Sequence, residues 1–229
     1  AIGASTGGPV AVQMVLAELP PEFPYPLVVA VHMPAEFTAT FAERLDSVCR
    51  IKVTLAKDGA LLQPGSALIA PGGQQTLVEQ RRGELVTVIR PGGDQLYKPS
   101  VDILFGSAAR TLGGAVQAVV LTGMGADGTD GARLLKERGG SVWSQDQATS
   151  VVYGMPYSVD KAGHSDRILP LPEIGAALAA SRGPGSAAHD AIERGEDGSW
   201  PRPTNRAGGL EGGVTNGQDV ILTAYKKPI

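Results

Sequence analysis

Val116-Gln117-Ala118-Val119-Val120-Leu121-Thr122-Gly123-Met124-Gly125-Ala126-Asp127-Gly128 decides the fold class. Its first six residues, apolar and rich in valine apart from Gln117, have the pattern of a strand buried on both faces. The run passes directly into a glycine loop, and Ala132-Arg133-Leu134-Leu135-Lys136-Glu137-Arg138 then reads as a helix stopped by Gly139-Gly140. Leu27-Val28-Val29-Ala30-Val31 is a second such strand, entered from the proline-rich turn Pro20 to Pro26 and ended near Met33-Pro34. Ala1-Ile2-Gly3 are the last residues of a first, very short strand, with a helix from Pro9 to Leu19 behind it. Strands and helices alternate in this way to about residue 172. The expected fold is therefore α/β, a doubly wound, mostly parallel sheet with helices on both faces. Val53 to Val88 reads differently, as short strands and hairpins forming an antiparallel extension of the sheet. Ser100 is the expected N-cap of a helix running on through Phe105.

With 229 residues, 42% of them apolar, the chain can bury one sizeable core and carry at most a small appendage. The longest apolar runs are too short to cross a bilayer, and no basic segment with an apolar stretch opens the sequence, so neither membrane insertion nor export is expected. The single cysteine, Cys49, excludes an internal disulfide and any cysteine-rich metal site, which fits a cytoplasmic protein. A net charge of −3 gives no electrostatic reason to expect nucleic acid.

Three polar residues fall just beyond strand C-termini, the edge at which open α/β sheets bind ligands: Ser5, His32 and Asp127. Ser5 lies in Gly3-Ala4-Ser5-Thr6-Gly7-Gly8-Pro9, whose Gly-x-Ser-x-Gly spacing permits a sharp strand-to-helix turn exposing the hydroxyl beside helical N–H groups. A serine hydroxyl needs a base for its proton and donors for the oxyanion. Of three histidines, His164 lies in a polar loop and His189 near the C-terminus, which leaves His32 as the base. Asp127, inside the glycine loop, suits the residue that orients the base. Asp130 belongs more naturally to the first turn of the next helix, and Asp102 and Asp146 remain weaker alternatives. A rival reading uses the same loop. Gly123-x-Gly125-x-x-Gly128 follows a strand, opens a helix and has Asp146 eighteen residues on, the form of a dinucleotide-binding fingerprint, so a nucleotide- or phosphate-binding module is the alternative.

Several motifs, in order, resemble one family. They are Ile2 to Pro9, Val31-His32-Met33-Pro34 with Phe37-Thr38 and Phe41 to Leu45, Ala70-Pro71-Gly72-Gly73, Lys98-Pro99-Ser100-Val101-Asp102, Leu121 to Gly128, and Gly154-Met155-Pro156. Together they resemble the catalytic domain of the chemotaxis protein-glutamate methylesterases (CheB-type). The resemblance covers residues 1–182, taken as a catalytic domain. It implies hydrolysis of glutamate γ-methyl esters on the cytoplasmic helices of chemoreceptors, and often deamidation of receptor glutamines. It further implies Ser5 as nucleophile, His32 as general base, Asp127 as its orienting acid, Met124 as a backbone N–H donor to the oxyanion, and Thr6 and Gly7 as residues shaping that pocket. No metal or organic cofactor is implied. The family usually carries an N-terminal phosphorylatable receiver domain, which is absent from this sequence, so no phosphorylation control is expected.

Residues 183–229 have a different texture, with nine glycines and four prolines in 47 residues, and an irregular segment is expected. Gly185-Ser186 with His189-Asp190, Thr204 to Gly217 and Lys227-Pro228-Ile229 resemble an internal stretch of chorismate synthase, too small a part of that fold to carry its chemistry.

Overall fold

The computed structural model describes residues 1–181 and two short segments, Leu210–Glu211 and Val214–Thr215. The chain divides into two units, Ala1–Ser181 and Arg182–Ile229. In the second, β10 (Leu210–Glu211) and β11 (Val214–Thr215) pair antiparallel. The irregular character expected for 183–229 otherwise falls on residues outside those described.

The first unit runs β1 (Ile2–Ala4), α1 (Gly8–Ala17), β2 (Leu27–Val31), α2 (Ala35–Val48), β3 (Lys52–Leu55), β4 (Ser66–Ile69), β5 (Gln74–Arg81), β6 (Glu84–Pro91), α3 (Val101–Leu112), β7 (Gln117–Val120), α4 (Thr129–Glu137), β8 (Ser141–Gln145), α5 (Met155–Lys161), β9 (Arg167–Leu169) and α6 (Leu171–Ala180). Seven strands form one parallel sheet in the order β3-β4-β2-β1-β7-β8-β9. Alternation along each strand divides its apolar residues between two cores. Ile2, Val29, Val31, Val119 and Leu121 face α1, α2 and α6, whereas Val28, Ala30, Ala118 and Val120 face α3, α4 and α5. Both faces are covered, as a parallel sheet requires.

The region from Val53 to Val88 departs from the sequence reading. β3 and β4 are parallel members of the main sheet, and only β5 and β6 form an antiparallel hairpin, which is a separate two-stranded sheet rather than an extension. The reason lies in what covers it. The hairpin packs on α3, where Val78 N–H donates to the Ser107 hydroxyl at 2.9 Å and Thr111 donates to the Val78 carbonyl at 2.8 Å. Short strands alone do not reveal which neighbour they join.

β1 has only three residues, but it is central and paired on both sides, to β2 through Ile2, Gly3 and Ala4 and to β7 through Ile2 and Gly3. α1 follows β1 on one face and α4 follows β7 on the other, so the C-terminal ends of these adjacent strands open a crevice at the point where the winding reverses. Helix α3 approaches β1 closely. A β-carbon at Gly3 would stand 2.3 Å from Val101 Cγ1, and one at Gly128 would stand 2.9 Å from the same atom. Val101, fully buried, therefore fills a notch that two glycines leave open. Gly3→Ala is expected to lower stability by about 1–3 kcal/mol through overpacking. Val101→Ala in the same chain should recover part of that loss, so that urea denaturation finds the double variant more stable than the sum of the single changes implies.

Candidate active site

Ser5 follows the last residue of β1 and His32 the last residue of β2. Ala4 and Val31 are register partners, and His32 N–H donates to the Ala4 carbonyl at 3.0 Å, so the two residues stand side by side at the sheet edge. Ser5 N–H in turn donates to the Thr122 carbonyl at 3.0 Å, which ties it to the loop after β7. The turn into α1 needs its glycines. Gly7 has φ +80°, and a β-carbon on Gly8 would meet Ala4 Cβ at 2.8 Å. Gly123 lies against Ser5 so closely that a β-carbon there would be 2.8 Å from Ser5 Cβ.

The Asp127 carboxylate is buried and accepts four hydrogen bonds. Oδ2 accepts from His32 Nε2–H at 2.7 Å and from Val101 N–H at 2.7 Å. Oδ1 accepts from the Ser100 hydroxyl at 2.9 Å and from Asp102 N–H at 2.9 Å. Burial works against ionisation here, but the bonds from His32, from the two α3 amides and from Ser100 outweigh it, and the Asp127 carboxyl titrates below its ordinary value. The positive end of the α3 dipole acts in the same sense. An ionised carboxylate only accepts, so in the neutral imidazole the proton sits on Nε2 and the lone pair on Nδ1. Nδ1 is buried and has no hydrogen-bond partner. His32 thus presents a free basic nitrogen at the edge where Ser5 stands.

The remaining acidic residues separate cleanly. Asp102 does not touch His32; its Oδ1 accepts from Gly128 N–H at 2.9 Å and Gly131 N–H at 2.7 Å, capping α4. Asp130 is exposed in the first turn of α4, beside Arg133. Asp146 closes its own loop, accepting from Thr149 N–H at 3.0 Å and from the Thr149 hydroxyl. These positions also count against the nucleotide reading, because two of the α4 N-terminal amides that a pyrophosphate would use are already taken by Asp102.

Thr6 and Met124 are exposed, and Gly7 is half-buried. The main-chain N–H groups of Thr6, Gly7 and Met124 find no acceptor among the described residues. Several supporting residues escaped the sequence reading. Thr122 donates its hydroxyl to the Thr6 carbonyl at 2.9 Å, and its own N–H is received by the fully buried Gln145 side chain at 2.8 Å. Gln75, also buried, accepts from Ser100 N–H at 2.8 Å and donates to the Tyr97 carbonyl at 2.7 Å. Buried glutamines with both ends satisfied mark the loops they hold, but a polar residue inside a strand pattern gives no sign of being buried. Among the described residues no cluster of His, Cys, Asp or Glu could hold a metal ion, and no helix is long and apolar enough to cross a membrane.

Fold and site together define an α/β domain with a serine, histidine and aspartate at the switch point of a parallel sheet. The chain belongs to the CheB methylesterase family, whose model matches residues 1–178. It is 58% identical over 182 residues to a protein-glutamate methylesterase/protein-glutamine glutaminase of Alkalilimnicola ehrlichii, covering 79% of this chain and 47% of that protein. A relative from a group 1 operon of Pseudomonas putida is 57% identical over 176 residues, 76% of this chain and 47% of its own length. The chain thus spans about half the length of the curated relatives it matches. The crystal structure of the Thermotoga maritima CheB methylesterase catalytic domain superposes with a TM-score of 0.75 at 40% identity, covering 78% of this chain and 95% of that one. A second family model, chorismate synthase, matches residues 172–229. Its first residues fall within α6, whose Ile174 and Leu178 belong to the core shared with α1.

Burial, opposed by the bond from Gly131 and reinforced by the nearby Asp127 charge, pushes the Asp102 carboxyl up to about 6. A carboxyl that holds its proton more tightly when folded weakens the fold as pH rises from its ordinary 3.8 to about 6. Asp127, shifted the other way, stabilises above its ordinary value and loses that contribution only at lower pH. Asp102→Asn keeps an acceptor for Gly128 and Gly131 but does not titrate, so the fall in stability across that window should flatten. Urea midpoints measured at intervals between the two pH values check this; parallel curves for parent and variant would refute it.

Proposed function

We propose that this chain is a serine hydrolase that cleaves glutamate γ-methyl esters on chemoreceptors to glutamate and methanol in chemotactic adaptation, and that it also deamidates receptor glutamines. The observation that carries the reading is the His32–Asp127 pair, with Nε2 fixed on a buried carboxylate and Nδ1 left without a partner, on a residue that neighbours Ser5 at the sheet edge. In this reading Ser5 Oγ attacks the ester carbonyl while His32 Nδ1 takes its proton. Asp127 holds the ring in that tautomer and stabilises the imidazolium. The oxyanion is received by main-chain donors at Thr6, Gly7 and Met124, which have no acceptor of their own. His32 then returns its proton to the departing methoxide, giving methanol, and water, activated by the same base, hydrolyses the acyl-enzyme to release glutamate and restore Ser5. A glutamine side chain would follow the same course with ammonia as the leaving group. None of these steps calls for a metal or organic cofactor.

The same reading takes residues 1–182 as the catalytic domain and residues 183–229 as a separate segment; the methylesterase match over residues 1–178 supports it. Its partners are methylated receptor helices, which places the reaction in the cytoplasm. The histidine is used with its nitrogens reversed relative to the familiar serine protease arrangement, in which Nδ1 faces the acid.

Methanol release from methylated chemoreceptor membranes tests the proposal. Ser5→Ala and His32→Ala are each expected to reduce turnover by about 10³-fold or more, and the double variant by little beyond either, because the residues act as a unit. Losses that multiply, or release that survives Ser5→Ala, would overturn it.

A further inference from the structure

An aromatic ring lies flat on the base. The rings of His32 and Tyr97 are stacked, with centroids 4.3 Å apart and planes within 7° of parallel. Tyr97 belongs to the segment between β6 and α3, and its position is secured at both ends. Its carbonyl accepts the Gln75 amide at 2.7 Å. Its hydroxyl rests against Gly125, where a β-carbon would stand 2.8 Å from the phenolic oxygen. Gly125 has φ +90° and follows Met124 directly. Three residues after Tyr97, Ser100 donates to Asp127 at 2.9 Å, so one short segment covers the imidazole and also helps hold its acid.

A single hydrogen bond from Nε2 fixes a direction but leaves the ring free to rotate about it. A flat neighbour removes that freedom. A tyrosine face also carries partial negative charge, which favours the imidazolium formed when the base takes a proton.

We propose that Tyr97 is a positioning residue of the hydrolytic site: its ring face fixes the plane of the His32 ring so that Nδ1 stays available to Ser5. This rests on the esterase reading above. Tyr97 acts through His32.

The test uses the full chain with Tyr97→Leu, which keeps apolar volume without a flat π face, and Tyr97→Phe, which keeps the face. Two rates are measured: turnover on methylated receptor membranes, and labelling of Ser5 by a fluorophosphonate followed by intact mass. In labelling, Ser5 Oγ bonds to phosphorus, fluoride leaves and the serine proton passes to His32, so the rate reads the base without any need for the receptor. Tyr97→Leu should lower both kcat and the labelling rate by about 10-fold while KM stays within about twofold, and Tyr97→Phe should remain within about threefold of the parent. If Tyr97→Leu does not fold, Tyr97→Met takes its place with the same loss expected. A Leu or Met variant that labels at the parent rate overturns the proposal and leaves the esterase standing. A Phe variant that falls as far as Leu overturns the role of the ring face. A parent chain that is never labelled at Ser5 overturns both readings together.

Discussion

One buried carboxylate holds the site together. Asp127 collects hydrogen bonds from the end of β2 through His32 and from the start of α3 through Ser100, Val101 and Asp102, while itself sitting in the loop after β7. Asp102 returns the favour across the same boundary by capping α4. Each of two helix N-termini thus receives a carboxylate carried by the other segment, which satisfies orphan amides and opposes both dipoles at once. The arrangement is costly to break piecemeal, since losing the Asp127 carboxylate would strand several buried donors, each worth about 1.5–3 kcal/mol against a charged partner.

That exchange is possible only because the backbones come close. Gly131 lies where a β-carbon would be 2.6 Å from Phe105 Cβ, and Gly123 and Gly128 are equally confined by Ser5 and Val101. The glycines of the loop are therefore set by packing between α3, α4 and β1 rather than by a phosphate ligand. Polar side chains complete the frame from beneath. Gln145 and Thr122 fix the loop beside Ser5, and Gln75 fixes the segment carrying Tyr97 and Ser100. The exposed residues Thr6 and Met124 keep main-chain donors with no acceptor among the described residues, above this frame.

Much of this was legible in the sequence because it depends on local pattern. Apolar runs ending just before Ser5, just before His32 and at Leu121, ahead of the loop with Asp127, announced strands of a parallel sheet, and ligand sites in such sheets lie beyond strand C-termini. Three residues distant along the chain could be grouped on that ground alone. The choice among Asp102, Asp127, Asp130 and Asp146 was less secure, because all four sit at loop or helix starts and local pattern treats them alike. Their separation is a matter of direction: Asp127 meets His32, Asp102 meets α4, Asp130 meets solvent and Arg133, and Asp146 meets its own turn.

By itself the sequence determined the fold class and the placing of Ser5, His32 and Asp127 beyond strand C-termini at one sheet edge, since hydrophobic period and turn residues act over a few positions and are written in order. Tertiary structure alone decided that β5 and β6 leave the main sheet for α3, that hydrogen bonds from His32, Ser100 and the Val101 and Asp102 amides hold the Asp127 carboxyl below its ordinary value, which imidazole nitrogen is left free, and that Tyr97 lies on its face. Those features depend on the direction and burial of groups brought together from far apart in the chain, and neither direction nor burial has a local signature.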